Sequence, residues 1–221
     1  MLDINNTQTA FSSKNNAELR KSYWLFQLIS HPWLVGVGGF FLRIAMKLRV
    51  PVEPIIRQTI FWQFCGGENI AACRPVIAKL HQHRIGTILD YSVEGREQEQ
   101  GLEETKQELL RTIQEARGNP AIPFTVFKVT GIARFGLLEK PDGSEEWKRA
   151  VRRLREIGLA AKAANVRVLI DAEESWIQDT IDSLVQDLMA ELNTEKAVVF
   201  NTAQMYRHDR LAYLGKIGRA S

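Results

Sequence analysis

Residues 147–171 have the sequence WKRAVRRLREIGLAAKAANVRVLID. This stretch contains two patterns of hydrophobic residues, one typical of a helix and, directly after it, one typical of a strand. In its first part, apolar residues recur at spacings of four and three: Trp147, Val151, Leu154 and Ile157. This spacing predicts an amphipathic helix over about 147–164. The run Val166–Asp171 that follows is rich in β-branched residues, which predicts a buried strand.

The same two patterns alternate along the rest of the second part of the chain. Four short apolar runs predict strands: Gly86–Tyr91, Phe124–Val129, Val166–Asp171 and Ala197–Asn201. The segments between these runs predict helices over about 97–116, 147–164 and 176–192. Strands that alternate with helices in this way form a parallel sheet covered by helices.

Two architectures satisfy this pattern, an open doubly wound sheet and a closed (β/α)8 TIM-type barrel. A dinucleotide-binding sheet needs a glycine-rich turn after its first strand, whereas residues 91–96 contain one glycine. The Gly-Val-Gly-Gly sequence at 36–39 follows no predicted strand. We therefore expect part of a (β/α)8 barrel, with about four strands present, over residues 85–221. Residues 1–84 are expected to form an N-terminal tail and a helical arm.

Composition excludes several function classes. The chain of 221 residues has 29 Lys and Arg against 26 Asp and Glu, an excess too small and too dispersed for a nucleic-acid surface. Cys65 and Cys73 lack the spacing of a zinc or redox pair, so we expect free thiols, a reducing cytoplasmic location and no metal. The apolar run Pro32–Met46 is too short to span a membrane. It is expected to pack within the protein, with peripheral contact to the inner membrane left open.

Polar residues lie at the ends of the predicted strands or just beyond them. These residues are Asp90, Glu94, Lys128, Asp171, Gln204 and Tyr206. In a barrel, functional groups gather at the carboxyl ends of the strands, because the loops there converge on one face. The pattern therefore predicts an active-site rim. Lys128 lies between apolar neighbours, so it needs a carboxylate or an anionic ligand to remain charged.

Asp171 and the nearby Glu173 and Glu174 are expected to have different roles. Glu173 and Glu174 are expected in the first turn of the next helix, where carboxylates interact favourably with the helix dipole. Asp171 lies at the strand end itself and is expected to be functional.

Five motifs resemble the proline dehydrogenase family. They are FCGGE at 64–68, ILDYSVEG at 88–95, FKVTG at 127–131, LIDAEE at 169–174 and FNTAQMY at 200–206. They occur in order, the first in the helical arm and the other four at successive predicted strands, and the similarity extends to about Leu214.

The resemblance implies a flavin enzyme with a distorted (β/α)8 barrel. Such enzymes bind FAD non-covalently, transfer a hydride from C5 of L-proline to flavin N5, release 1-pyrroline-5-carboxylate and pass the electrons to a membrane quinone. By resemblance, Lys128 contacts the proline carboxylate and Asp171 has a catalytic role. The main chain of Ala172 touches the flavin, and Gln204 hydrogen-bonds its isoalloxazine ring. Glu94 corresponds to a gate carboxylate that pairs with a substrate-binding arginine.

Only about half of a barrel is predicted here, since a complete one needs eight strands. We therefore expect a truncated chain with impaired activity unless a second polypeptide completes the barrel. Two alternatives stay open. One is a Schiff-base aldolase that uses Lys128 as its nucleophile. The other is a non-catalytic fragment that associates with a partner chain. The oligomeric state and the choice between proline and hydroxyproline are left open.

Overall fold

The computed structural model describes residues 5–91, 93 and 95–217. The chain divides into two compact units, Met1–Ile85 and Gly86–Ser221.

The described residues of the first unit form helices joined by turns, without a strand. Its helices are α1 Thr7–Ala10, α2 Asn16–Ile29, α3 Pro32–Lys47, α4 Glu53–Ile56, a π-helical turn Arg57–Phe61, α5 Trp62–Phe64 and α6 Ile70–Gln82. Asn15 begins α2 with a capping box, in which its side chain accepts from the Glu18 N–H while the Glu18 carboxylate accepts from the Asn15 N–H.

Little of the first unit is buried. Among its described residues only Ser22 and Ile77 are buried, and none of the sixteen residues of α3 is. The burial expected for the apolar run of α3 therefore does not occur. Large side chains such as Trp33 and Phe41 are exposed by 67% and 63%.

Within the described residues, no single helix is both long enough and apolar enough to cross a membrane. Helices α2 and α3 reach that length and hydrophobicity only as a pair, which is bent by 92°.

The second unit contains the predicted sheet. Its elements are β1 Ile88–Asp90, α7 Glu99–Ala116, β2 Phe124–Phe127, α8 Phe135–Glu139, α9 Glu145–Ala164, β3 Arg167–Ile170, α10 Ser175–Leu192, β4 Val199–Asn201 and α11 Arg210–Ile217. The strands lie in the order β1-β2-β3-β4, and every neighbouring pair is parallel. This confirms the predicted parallel sheet and the three helices between its strands.

Local sequence signals set the ends of α9. The Ser144 hydroxyl accepts a hydrogen bond from the Trp147 N–H, and Glu145 and Glu146 occupy the first turn. The helix ends at Asn165, which adopts a left-handed conformation with φ of 55°. Asparagine tolerates this conformation better than most residues, so the chain can turn at once into β3.

The two faces of the sheet are unequally covered. Burial alternates along β3, where Val168 and Ile170 are buried while Leu169 is half-buried. The alternation follows from the period of a strand, whose successive side chains point to opposite faces. The buried face packs against helices, whereas the other face keeps residues such as Ile88 exposed by 47%.

Candidate active site at the carboxyl ends of the strands

Lys128 and Asp171 occupy equivalent positions on neighbouring strands. Phe127 pairs with Ile170, and the pairing continues one step further because the Asp171 N–H donates to the Phe127 carbonyl at 2.9 Å. Each residue directly follows its strand. Both side chains are half-buried, so a ligand can reach them.

A main-chain N–H of the next residue holds the carboxylate of Asp171. One of its oxygens accepts a hydrogen bond from the Ala172 N–H at 3.0 Å. Ala172 is half-buried, and its main chain forms part of the segment between β3 and α10. The predicted catalytic aspartate and the predicted flavin-binding residue are thus adjacent and share this contact.

Gln204 lies three residues beyond the end of β4 and reaches the segment that follows β3. Its side-chain amide donates to the main-chain carbonyl of Glu173 at 3.1 Å. The side chain is half-buried. The structure therefore brings Gln204 to the same edge of the sheet as Asp171, although the two residues belong to different strand–helix units.

Glu173 is not in the first turn of a helix, so that expectation is wrong. Helix α10 begins at Ser175 and has no acidic residue in its first turn, while Glu174 occupies the N-cap without a side-chain capping bond. Glu173 is only 7% exposed. Its carboxylate accepts from the Thr130 N–H at 3.0 Å and from the Thr130 hydroxyl, and its own N–H donates to Gln178 Oε1 at 2.7 Å.

The electrostatics of Glu173 involve the predicted substrate-binding lysine. Burial raises the pKa of the Glu173 carboxyl, because a buried charge loses its hydration. The hydrogen bonds from Thr130 and the positive charge of Lys128 act in the opposite direction on this pKa. Glu173 is therefore a negative charge close enough to Lys128 for the two to influence each other.

A buried polar network continues from Glu173 into the last helix. Asp182 accepts hydrogen bonds from Gln178 Nε2 at 2.8 Å, from Asn201 Nδ2 at 2.9 Å and from the Arg210 guanidinium. Asn201 also donates to the Tyr213 hydroxyl at 3.1 Å. This network connects α10, the end of β4 and α11, and so fixes both ends of the loop that carries Gln204.

Sequence reasoning missed this network, although one signal was present. Gln178 and Asp182 directly follow Ile177 and Ile181, two residues of the apolar face of α10. Gln178 and Asp182 are only 1% and 4% exposed. Polar residues next to an apolar stripe at a spacing of four indicate buried polar groups that need partners.

Two other residues that the sequence predicted for the rim have different outcomes. Glu94, the predicted gate carboxylate, lies outside the described residues. Tyr206 is 81% exposed in the loop after β4. Within the described part of the chain, no three His, Cys, Asp or Glu side chains come together as a metal site.

Comparison with known proteins identifies the family. The family model described as proline dehydrogenase matches residues 73–220. Proline dehydrogenase 1, mitochondrial, from Dictyostelium discoideum is 27% identical over 252 aligned positions, covering 93% of this chain and 44% of the relative. The carbapenem antibiotics biosynthesis protein CarD from Pectobacterium carotovorum is 29% identical over 159 positions, covering 68% of this chain and 42% of the relative. The chain thus spans less than half the length of these two relatives.

Solved structures share the fold at low sequence identity. Proline utilization A (PutA) from Bdellovibrio bacteriovorus, inactivated by N-propargylglycine, superposes with a TM-score of 0.64 at 15% identity, over 96% of this chain and 24% of that one. A Bradyrhizobium japonicum PutA mutant, D779Y, gives 0.52 at 15% identity over 68% of this chain and 16% of that one. The shared fold confirms the predicted (β/α)8 class, of which four successive strands are described here. The chain belongs to the proline dehydrogenase family.

Proposed function

We propose that this chain takes part in the oxidation of L-proline to 1-pyrroline-5-carboxylate, with FAD as the hydride acceptor and a membrane quinone as the final electron acceptor. The observation that carries the proposal is the grouping of three side chains at one edge of the sheet. Lys128 and Asp171 follow neighbouring strands at equivalent positions, and Gln204 is held to the same edge through Glu173. Family membership supports the same activity.

The residues at this edge fit a flavin and an amino acid. Gln204 supplies an uncharged amide and Ala172 supplies main-chain groups, which suit the polar edge of an isoalloxazine ring without adding a charge. Both residues are half-buried, so a ring could pack on them without full exposure to water. When bound, FAD would accept the hydride from C5 of proline, while the proline nitrogen loses a proton and the C5–N bond becomes an imine.

The charged residues of the chain would orient the substrate. Lys128 would bind the proline carboxylate, because a charge-assisted hydrogen bond to a carboxylate is about twice as strong as a neutral one. Asp171 follows the neighbouring strand and would face the same ligand. Hydride transfer depends chiefly on the positions of donor and acceptor, so two fixed charges at the ends of adjacent strands suit this reaction.

The first unit would bring the protein to the quinone. Its exposed apolar residues include Trp33, Phe40 and Phe41, and α3 has no buried residue. Aromatic side chains of this kind favour the interface between lipid and water. We propose a cytoplasmic protein with peripheral membrane contact through α3. Co-sedimentation with anionic vesicles would test it, and Phe41→Ser should reduce the bound fraction.

The decisive experiment measures flavin binding and proline oxidation by the purified chain. We expect a bound-flavin spectrum after excess FAD is removed, and reduction of an electron-accepting dye when L-proline is added. Lys128→Met should raise KM for proline by about tenfold, equivalent to ~1.4 kcal/mol, with a smaller change in kcat. Lys162→Met is the matched control, because Lys162 is exposed in the last turn of α9, which leads into the opposite edge of the sheet.

The same samples separate the alternatives. If borohydride links a carbonyl compound covalently to Lys128, the aldolase hypothesis is favoured and proline oxidation is not. If the chain binds no flavin and oxidises no proline, the proposed function is wrong for this chain, and a non-catalytic role remains.

A further inference from the structure

Glu173 makes contacts at the carboxyl ends of three strands. It follows β3 directly after Asp171 and Ala172, and its carboxylate accepts two hydrogen bonds from Thr130 in the turn after β2. Its main-chain carbonyl accepts the side-chain amide of Gln204, in the loop after β4. Lys128, whose charge acts on the Glu173 carboxylate, lies two residues before Thr130.

We propose that Glu173 is a positioning residue of the active site, which fixes Lys128 through the turn after β2 and fixes Gln204 through its own main-chain carbonyl. The inference rests on the proposed function, in which Lys128 binds substrate and Gln204 binds flavin. Glu173 itself would touch neither ligand.

The geometry gives Glu173 this role because hydrogen bonds hold both its side chain and its main chain. A buried carboxylate is stable only where donors reach it, so the Thr130 N–H and hydroxyl hold the side chain in one place. The Gln178 side chain accepts the Glu173 N–H at 2.7 Å and holds the main chain. With both ends fixed, the Glu173 carbonyl presents one defined acceptor to Gln204.

The attraction between Glu173 and Lys128 is mutual. Two opposite charges near each other stabilise each other's charged forms, and the effect is larger where water is partly excluded. Glu173 is buried and Lys128 half-buried, so this attraction is screened less than one between exposed groups. Loss of the carboxylate would remove this charge and weaken the bonds from Thr130 that hold the turn after β2, so Lys128 would be less firmly oriented.

The test compares Glu173→Gln with Glu174→Gln. Both substitutions remove one negative charge from adjacent residues, but Glu174 is exposed and its side chain makes no capping bond. Thr130→Val is the second test variant, since it removes only the hydroxyl donor to Glu173. Circular dichroism establishes that each variant is folded.

Two readouts are measured. The first is the rate at which acetic anhydride labels Lys128 in the flavin-free chain, followed by mass spectrometry near neutral pH. The second is the dissociation constant and visible spectrum of added FAD. We expect Glu173→Gln to raise the labelling rate about threefold and to weaken FAD binding about tenfold, the size of effect that one lost buried hydrogen bond produces. Thr130→Val should change both quantities in the same direction but less, and Glu174→Gln should leave both unchanged.

The outcomes distinguish this inference from the proposed function. If Glu173→Gln matches Glu174→Gln in both readouts, Glu173 is not a positioning residue. If Glu173→Gln fails to fold, Thr130→Val decides, and wild-type values for that variant overturn the inference. If the wild-type chain binds no FAD, the proposed function fails, whereas the Lys128 labelling still tests the contact between Glu173 and Lys128.

Discussion

Removal of the Asp182 carboxylate should destabilise the second unit more than any other single loss of charge in its last helices. Asp182 accepts hydrogen bonds from Gln178 at 2.8 Å and Asn201 at 2.9 Å, and it forms an ion pair with Arg210. The Asp182→Ala variant leaves all three donors facing an apolar methyl group. Each of them then loses a partner in a place where water does not readily replace it.

The size of the loss in unfolding free energy follows from the burial of the Asp182–Arg210 ion pair. The side chains of Asp182 and Arg210 are both 5% exposed. Breaking a buried ion pair by removing one partner costs about 3–5 kcal/mol, because the other charge stays buried. Arg210 keeps an ion pair with Asp209, whose side chain is 49% exposed. We therefore expect the lower end of the range, about 3 kcal/mol, and a fall in Tm of about 10 °C.

Urea denaturation followed by far-ultraviolet circular dichroism measures this loss. The matched control is Asp179→Ala, one helical turn earlier in α10. Asp179 lies 3.6 Å from the same guanidinium but is 88% exposed. Its loss should cost less than about 1 kcal/mol, as for other exposed ion pairs. If the two variants differ in unfolding free energy by less than about 1 kcal/mol, burial does not determine the strength of this network and the reasoning is refuted.

Four further predictions concern the pH dependence and the backbone of the second unit. Burial raises the pKa of Glu173, so the folded state holds this proton to a higher pH than the unfolded chain does. Stability of the wild type should therefore fall relative to Glu173→Gln as pH rises from about 4 through the raised pKa, and urea midpoints over a pH series measure this. Gly131→Ala should cost about 1–3 kcal/mol, because its Cβ would meet the Val93 carbonyl oxygen at 2.6 Å. Gly136→Ala, in helix α8 with nothing within 4 Å of the added Cβ, should instead add about 0.5–1 kcal/mol, and thermal unfolding measures both glycine variants. Asn165→Val should cost about 1–2 kcal/mol because φ there is 55°, and an unchanged Tm would contradict that expectation.

The sequence predicted the elements of the second unit well because their signals are local. The spacing of Trp147, Val151 and Leu154 describes a helix face that needs only neighbouring turns to form. The run from Val166 to Ile170 alternates in burial as a strand does, and the structure confirms β3 within it. Lys128 and Asp171 were found as candidates for a similar reason, since each directly follows an apolar run and the ends of parallel strands meet at one edge.

The tertiary structure alone decided what Glu173 does. The sequence around it, Asp-Ala-Glu-Glu, is typical of an acidic helix start, and nothing local distinguishes Glu173 from Glu174. One is buried and the other exposed because Thr130, which is 43 residues away in the chain, reaches Glu173 and not its neighbour. The Asp182–Arg210 pair is likewise set by the packing of α11 against α10, across 28 residues.

The sequence by itself therefore determined which segments of the second unit are helices and which are strands, because hydrophobic periodicity and turn residues act over a few neighbours. Only the packed structure decided which of two adjacent carboxylates lies inside and which side chains meet across the strand ends. Burial and hydrogen-bond partners depend on residues far apart in sequence, and the cost of an unpaired buried charge favours the arrangement in which donors reach the Glu173 and Asp182 carboxylates.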